Sequence, residues 1–266
     1  MSVQRRTIAD SFSQAKSESR ALLIGYLPAG YPTVAGSIEL IHAMLDNGVD
    51  LIEVGLPYSD PLMDGPVIQE AVSAALAGGA TTETVLDVVQ AVSDHGGLPV
   101  VMSYWNPIER YGVERFAQAL SDRGGAGVIT PDLTIEEAQP WLEAAHRNSI
   151  DPIFLVAPSS SEIRISQVSD QTRGFIYAAS TMGVTGARDN VSSMAPELVA
   201  RVRTRTDLPI AVGLGVSTGA QAADIAAYAD GVIVGSAFIK AANQGGAAAV
   251  AELAAQLAQG VRSAVR

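Results

Sequence analysis

The chain has no cysteine, which excludes disulfides, thiolate metal sites and a cysteine nucleophile. Basic residues are scarce: 17 Lys and Arg stand against 28 Asp and Glu, a net charge of −11. With no basic run, nucleic acid and anionic membrane are excluded as main partners. No apolar run free of charges and helix breakers reaches the roughly 20 residues that span a bilayer. Residues 1–20 are polar and lack the apolar core of a signal peptide. A soluble, cytoplasmic protein is expected. Histidine is rare too, and His42, His95 and His146 fall in or beside predicted helices, where no catalytic role is assigned to them.

The 266 residues are 48% apolar and 17% charged. That is enough core for one domain of the larger α/β kind, expected to span residues 1–266. Short β-rich runs at 22–27, 50–54, 99–104, 126–130, 152–156, 174–178, 208–212 and 230–234 alternate with longer helical ones. The helical runs lie at 34–47, 67–77, 82–94, 108–122, 135–147, 161–169, 192–204, 218–228 and 247–261. Strands alternating with helices imply βαβ units and a parallel sheet. Units of this number and length predict an α/β fold of the (β/α)8 TIM barrel type. A doubly wound open sheet is the alternative, but no Gly-x-Gly-x-x-Gly follows the first strand. Residues 7–20 are expected to form an additional N-terminal helix that plugs the barrel bottom, and the glycine-rich 245–249 to start the last helix.

One strand carries an acid. In 50–54, Leu51 and Glu53 share one face and Ile52 and Val54 the other. Alternate strand residues of a barrel point inward, so Glu53 is expected inside, near the carboxyl end where barrel enzymes place their chemistry. An acid in an apolar strand is costly to bury unless it is paired or used. The next loop holds Asp60 and Asp64 between Pro57, Pro61 and Pro66, whose fixed φ stiffens it. The same parity puts Leu22, Ile24 and Tyr26 inward on the first strand and Phe175 and Tyr177 inward on the sixth.

The last two strands end in glycine-rich loops, Gly213-Leu214-Gly215 and Gly235-Ser236. Glycine admits close backbone approach, and the first amides of a helix favour anions. In barrels this pair of loops, with a short extra helix, often holds a phosphate. No Lys or Arg precedes Lys240 there, so binding would rest on amides, the helix dipole and a hydroxyl.

Glu53-x-Gly-x-Pro-Tyr-Ser-Asp-Pro-x-x-Asp-Gly-Pro66, Gly183-Val184-Thr185-Gly186, Gly235-Ser236 and the weaker Asn106-Pro107 with Tyr111-Gly112 together resemble the tryptophan synthase alpha subunit family. The resemblance runs through essentially the whole chain. It implies retro-aldol cleavage of indole-3-glycerol phosphate to indole and glyceraldehyde 3-phosphate, with neither metal nor cofactor. Glu53 is implied as the proton shuttle at indole C3 and the departing hydroxyl, and Asp64 as the acceptor for the indole N–H. Tyr26, Tyr177 and Leu214 are implied as pocket walls, Gly186, Gly215, Gly235 and Ser236 as phosphate positions, and Thr185 as a loop residue that meets Asp64 on closure. Pro57, Asp60, Asn106 and Pro107 are implied at the interface with a beta subunit, in an α2β2 complex that carries pyridoxal phosphate only in the partner. An apolar pocket is expected to raise the Glu53 pKa while a wetter Asp64 stays ionised. Two positions depart from the usual pattern: Tyr31 stands where many members have aspartate, and Ser180-Thr181-Met182 lacks their arginine.

Plainer readings stand beside these. Tyr26 and Tyr177 fit ordinary core aromatics, Asp64-Gly65 fits a turn, and Ser236 fits a helix cap. Trp141 fits helix packing, and Trp105 packing or an interface. At the level of function, a free-standing indole-3-glycerol phosphate lyase and a mainly regulatory subunit that activates the beta subunit remain alternatives. A different phosphate-handling barrel is a more distant one.

Overall fold

The computed structural model describes residues 6–179, 194–213 and 215–265. Its strands are β1 (Leu22–Pro28), β2 (Leu51–Gly55), β3 (Pro99–Met102), β4 (Gly127–Ile129), β5 (Asp151–Ile153), β6 (Leu155–Val156), β7 (Ile176–Ala179), β8 (Ile210–Gly213) and β9 (Gly231–Val234). The helices are α1 (Ile8–Ser17), α2 (Val34–Asp46), α3 (Pro66–Ala77), α4 (Thr82–Asp94), α5 (Trp105–Tyr111), α6 (Val113–Asp122), α7 (Gln139–Arg147), α8 (Glu162–Gln171), α9 (Met194–Arg203), α10 (Gly219–Ala226) and α11 (Ser236–Ser263). All ladders are parallel, in the order β5-β4-β3-β2-β1-β9-β8-β7-β6. The two ends of that order, β5 and β6, are halves of the single strand expected at 152–156. They part at Phe154, one half pairing with β4 and the other with β7, so the chain itself closes a TIM barrel.

Strand parity is as expected. Leu22, Ile24, Leu51, Val100, Ile129, Ile153, Phe175, Ala211 and Ile233 form an inner cluster, and Ile8, Phe12 and Ala15 of α1 pack into it from below. The N-terminal helix therefore is the plug. Thr7 caps it by accepting from the Asp10 amide while Asp10 accepts back from the Thr7 amide, satisfying two otherwise orphan donors. Phe12 meets Phe175 with ring centroids 5.6 Å apart. A second, larger cluster lies between the barrel and its helices.

Elsewhere the structure corrects the expected boundaries. The helix expected at 108–122 is two, α5 and α6, broken at Gly112, whose φ of +99° is open to glycine and strained for other residues. The helix expected at 135–147 opens with a 3₁₀ turn, Ile135–Glu137, before α7. The glycine-rich run starts the last helical segment as expected, since Gly245 and Gly246 leave helical geometry, but a further helical segment from Ser236 leads up to that kink, and the two together make up α11. Strand β3 stops at Met102, short of Tyr104, which becomes the cap position of α5. Among the described residues no helix is long and apolar enough to cross a membrane.

The floor is locked by one buried ion pair. Arg20, 8% exposed, donates through both terminal nitrogens to Asp50 at 2.9 Å, and Asp50 also accepts from the Leu23 amide at 2.9 Å. The pair thus joins the chain after α1 to the starts of β1 and β2. Removing one partner leaves a buried charge uncompensated. Arg20→Ala is expected to lower stability by about 3–5 kcal/mol, read as a drop in the urea unfolding midpoint; an unchanged midpoint would show that the pair is not structural.

Candidate active site

Glu53 lies on the inner face of β2 and is 2% exposed. Its Oε2 is buried with no hydrogen-bond partner among the described residues. Burial first, and the charge of Asp64 second, push its pKa from 4.5 up to about 8. At neutral pH the side chain is therefore mostly the acid, a group that can donate a proton and later accept one.

Asp64 sits half-buried in the loop between β2 and α3. Tyr104 donates to its Oδ1 at 3.2 Å, and its backbone carbonyl accepts from Gln69 at 2.7 Å. It is the wetter acid of the two, as expected, but burial pushes its pKa up as well, with the Tyr104 hydrogen bond working against that. The loop is thus drier than sequence reasoning held it to be.

Tyr26 and Tyr177 lie within electrostatic reach of both acids. Burial raises both hydroxyls well above their ordinary value, and the charges of Glu53 and Asp64 add to the effect on each. Their rings fit because glycines stand opposite. A Cβ on Gly55 would lie 2.5 Å from the Tyr26 hydroxyl, and one on Gly213 would lie 2.5 Å from that of Tyr177. Gly235 also lies under the Tyr26 ring, where a Cβ would meet Cδ1 at 3.2 Å. Glycine in these strands is a packing requirement of the tyrosines.

Beside Tyr26 at the mouth, Gly235 is the cap residue of α11 with no capping side chain among the described residues, while Ser236 begins the helix and is 6% exposed. Gly215 takes φ of +64°. A helix N-terminus flanked by glycine turns is suited to an anion. Leu214, Thr185 and Gly186 lie outside the described residues, as do Ser180, Thr181 and Met182. Among the described residues no group of three or more His, Asp or Glu side chains is arranged to hold a metal.

The residues expected at an interface separate into two kinds. Asp60 and Asn106 are exposed and, with the half-buried Pro107, line an open groove of about 450 Å³ together with Tyr58, Arg110 and Tyr111. Pro57 is buried in the isolated chain, next to these exposed residues. Trp105 packs against Trp141, centroids 6.4 Å apart, and Trp141 is fully buried. His42 and His95 stack on each other at 3.9 Å, and His146 borders a separate cavity beside Asp151 and the α1 cap. Tyr104 was missed. It shares parity with Val100 and Met102, the one sign in the sequence that it continues the inner face past the end of β3.

The model of the family described as "Tryptophan synthase alpha chain" matches residues 12–265. The chain belongs to the tryptophan synthase alpha chain family. Among its relatives, the tryptophan synthase alpha chain of Nocardia farcinica is 60% identical over 98% of each chain. That of Thermobifida fusca is 54% identical over the whole of both. A solved structure of Mycobacterium tuberculosis tryptophan synthase superimposes with a TM-score of 0.93 at 52% identity, covering 97% of this chain and 99% of that one. Family membership and the barrel are thereby shown together, while the roles of individual residues rest on the geometry of the mouth.

In this alpha-chain barrel the tyrosine–glycine contacts are directly testable. Gly213→Ala is expected to destabilise by about 1–3 kcal/mol through overpacking. Tyr177→Phe in the same background removes the only atom among the described residues closer than 3 Å to the new Cβ and should recover most of the loss. Strict additivity of the two changes in urea unfolding would refute the contact.

Proposed function

We propose that this chain cleaves indole-3-glycerol phosphate to indole and glyceraldehyde 3-phosphate by a retro-aldol reaction. The observation that carries this reading is a buried, largely protonated Glu53 within electrostatic reach of Asp64. The indole ring cannot leave as a carbanion, so its C3 must first be protonated. Glu53 as the acid supplies that proton, and the ring becomes a cationic indolenine. Asp64 as the anion accepts from the indole N–H and stabilises the charge that develops there. The Glu53 carboxylate then takes the proton of the side-chain hydroxyl as the carbon–carbon bond breaks, which regenerates the acid and releases an aldehyde. Tyr26 and Tyr177 flank the ring. The N-terminus of α11 at Gly235 and Ser236, with Gly215, holds the phosphate, joined by Gly186, while Leu214 and Thr185 complete the pocket. The reaction requires no cofactor or metal.

The indole passes to a beta subunit in an α2β2 complex, docked over the groove of Asp60, Asn106 and Pro107, with pyridoxal phosphate in that partner alone. The cytoplasm is the compartment proposed for this synthesis. An exposed groove beside the Asp64 loop favours the partnered form over a free-standing lyase.

The test is indole release from indole-3-glycerol phosphate by the purified chain, alone and with a tryptophan synthase beta subunit. Release should rise steeply with the partner, and Glu53→Gln should lower it by a factor of about 10² to 10⁴. Equal release by Glu53→Gln would sink the assignment, and rapid release indifferent to the partner would indicate a free-standing lyase. The acid form of Glu53 is the starting form, so kcat/KM should fall as pH rises through about 8. The same raised pKa links to stability in a fixed direction. The contribution is whole below 4.5 and is lost progressively as pH climbs toward 8. Glu53→Gln should accordingly be less sensitive to pH over that window in urea unfolding than the unaltered chain.

A further inference from the structure

The loop that carries Asp64 has one fixed point inside the barrel mouth, and it is a tyrosine from another strand end. The Tyr104 hydroxyl accepts from the Met63 amide at 3.0 Å and lies 3.2 Å from Asp64 Oδ1. An amide N–H can only donate, so the hydroxyl's own proton is left to point at the carboxylate. That arrangement favours the anion of Asp64 over its acid. Burial pushes the Tyr104 hydroxyl up to about 12, so it keeps its proton over the whole range in which the carboxyl groups titrate.

The tyrosine is itself held. It is 5% exposed, and its ring meets that of Tyr58 with centroids 5.6 Å apart at 41°. The Tyr58 hydroxyl accepts from Asn106 at 2.9 Å. Both ends of the clamp are therefore anchored, one on the end of β3 and one on the loop after β2, although Tyr104 and Asp64 are 40 residues apart in sequence.

We propose that Tyr104 is a positioning residue, whose hydroxyl clamps the Asp64 loop and orients the Asp64 carboxylate as an anion beside Glu53. The proposal deepens the reading above and rests on it for the role of Asp64. The clamp opposes the upward push of burial on Asp64, so an aspartate kept for its charge depends on this hydroxyl in surroundings this dry.

Tyr104→Phe is the variant to make, because it keeps the ring against Tyr58 and removes only the hydroxyl. Two measurements decide. The first is an NMR titration of carboxyl-13C aspartate in the unaltered chain and in Tyr104→Phe, with Asp64→Asn identifying the signal. The Asp64 midpoint should move to higher pH in Tyr104→Phe, and an unmoved midpoint would overturn the proposal. The second is the pH profile of kcat/KM for indole release with the beta subunit. The acid limb should shift upward with the loss of one hydrogen bond to a charged group, lowering kcat/KM about tenfold on that limb and recovering as pH rises. A loss uniform across pH would mark a merely structural residue and overturn it too. No indole release from the unaltered chain would instead defeat the proposed reaction, and the titration would still decide the clamp.

Discussion

Glu53 stands in the wall of a parallel barrel at 2% exposure, and burying a carboxylate there costs more than burying the acid. That imbalance holds the group mostly protonated near neutral pH. It also sets the requirements on its neighbours. The surroundings of the acid must stay dry, which the rings of Tyr26 and Tyr177 serve, and the rings need room, which Gly55 and Gly213 provide. The second acid must carry a charge without Glu53 doing so, and its position in a half-open loop under a donating hydroxyl serves that end.

The barrel divides its labour along its axis. Below, the inner cluster is wholly apolar and closed by Ile8, Phe12 and Ala15 of α1, with each fully buried large side chain contributing about 1.5–3 kcal/mol. The Arg20–Asp50 pair ties that floor together. Above it, the inner positions turn polar at Tyr26, Glu53 and Tyr177. A rigid floor allows a destabilising acid at the mouth, since the strands that carry it are held by packing that does not depend on it.

Much of this was legible in the chain itself. Period-2 parity placed Leu51 and Glu53 inward without any contact information, because a strand has only two faces. Helix α1 was legible as a plug from its position before the first strand. What was not legible depends on meetings between distant segments. Gly112 breaks a helix that periodicity runs straight through, and a helical segment that starts at Ser236 precedes the Gly245–Gly246 kink. The fifth strand divides at Phe154 because closing the barrel asks its two halves to pair with different neighbours.

The alternation of strands and helices, the inward direction of Glu53, Tyr26 and Tyr177, and the glycines at the ends of the last two strands can all be read along the chain. These follow from local periodicity and from residue chemistry, which act over a few positions. The environment of each acid, by contrast, is set by the folded barrel. That barrel set how dry Glu53 is, it raised Asp64 as well, and it brought Tyr104 across from another strand end to hold Asp64. A pKa is a sum over everything within reach of a charge, and what lies within reach is fixed only when the barrel closes.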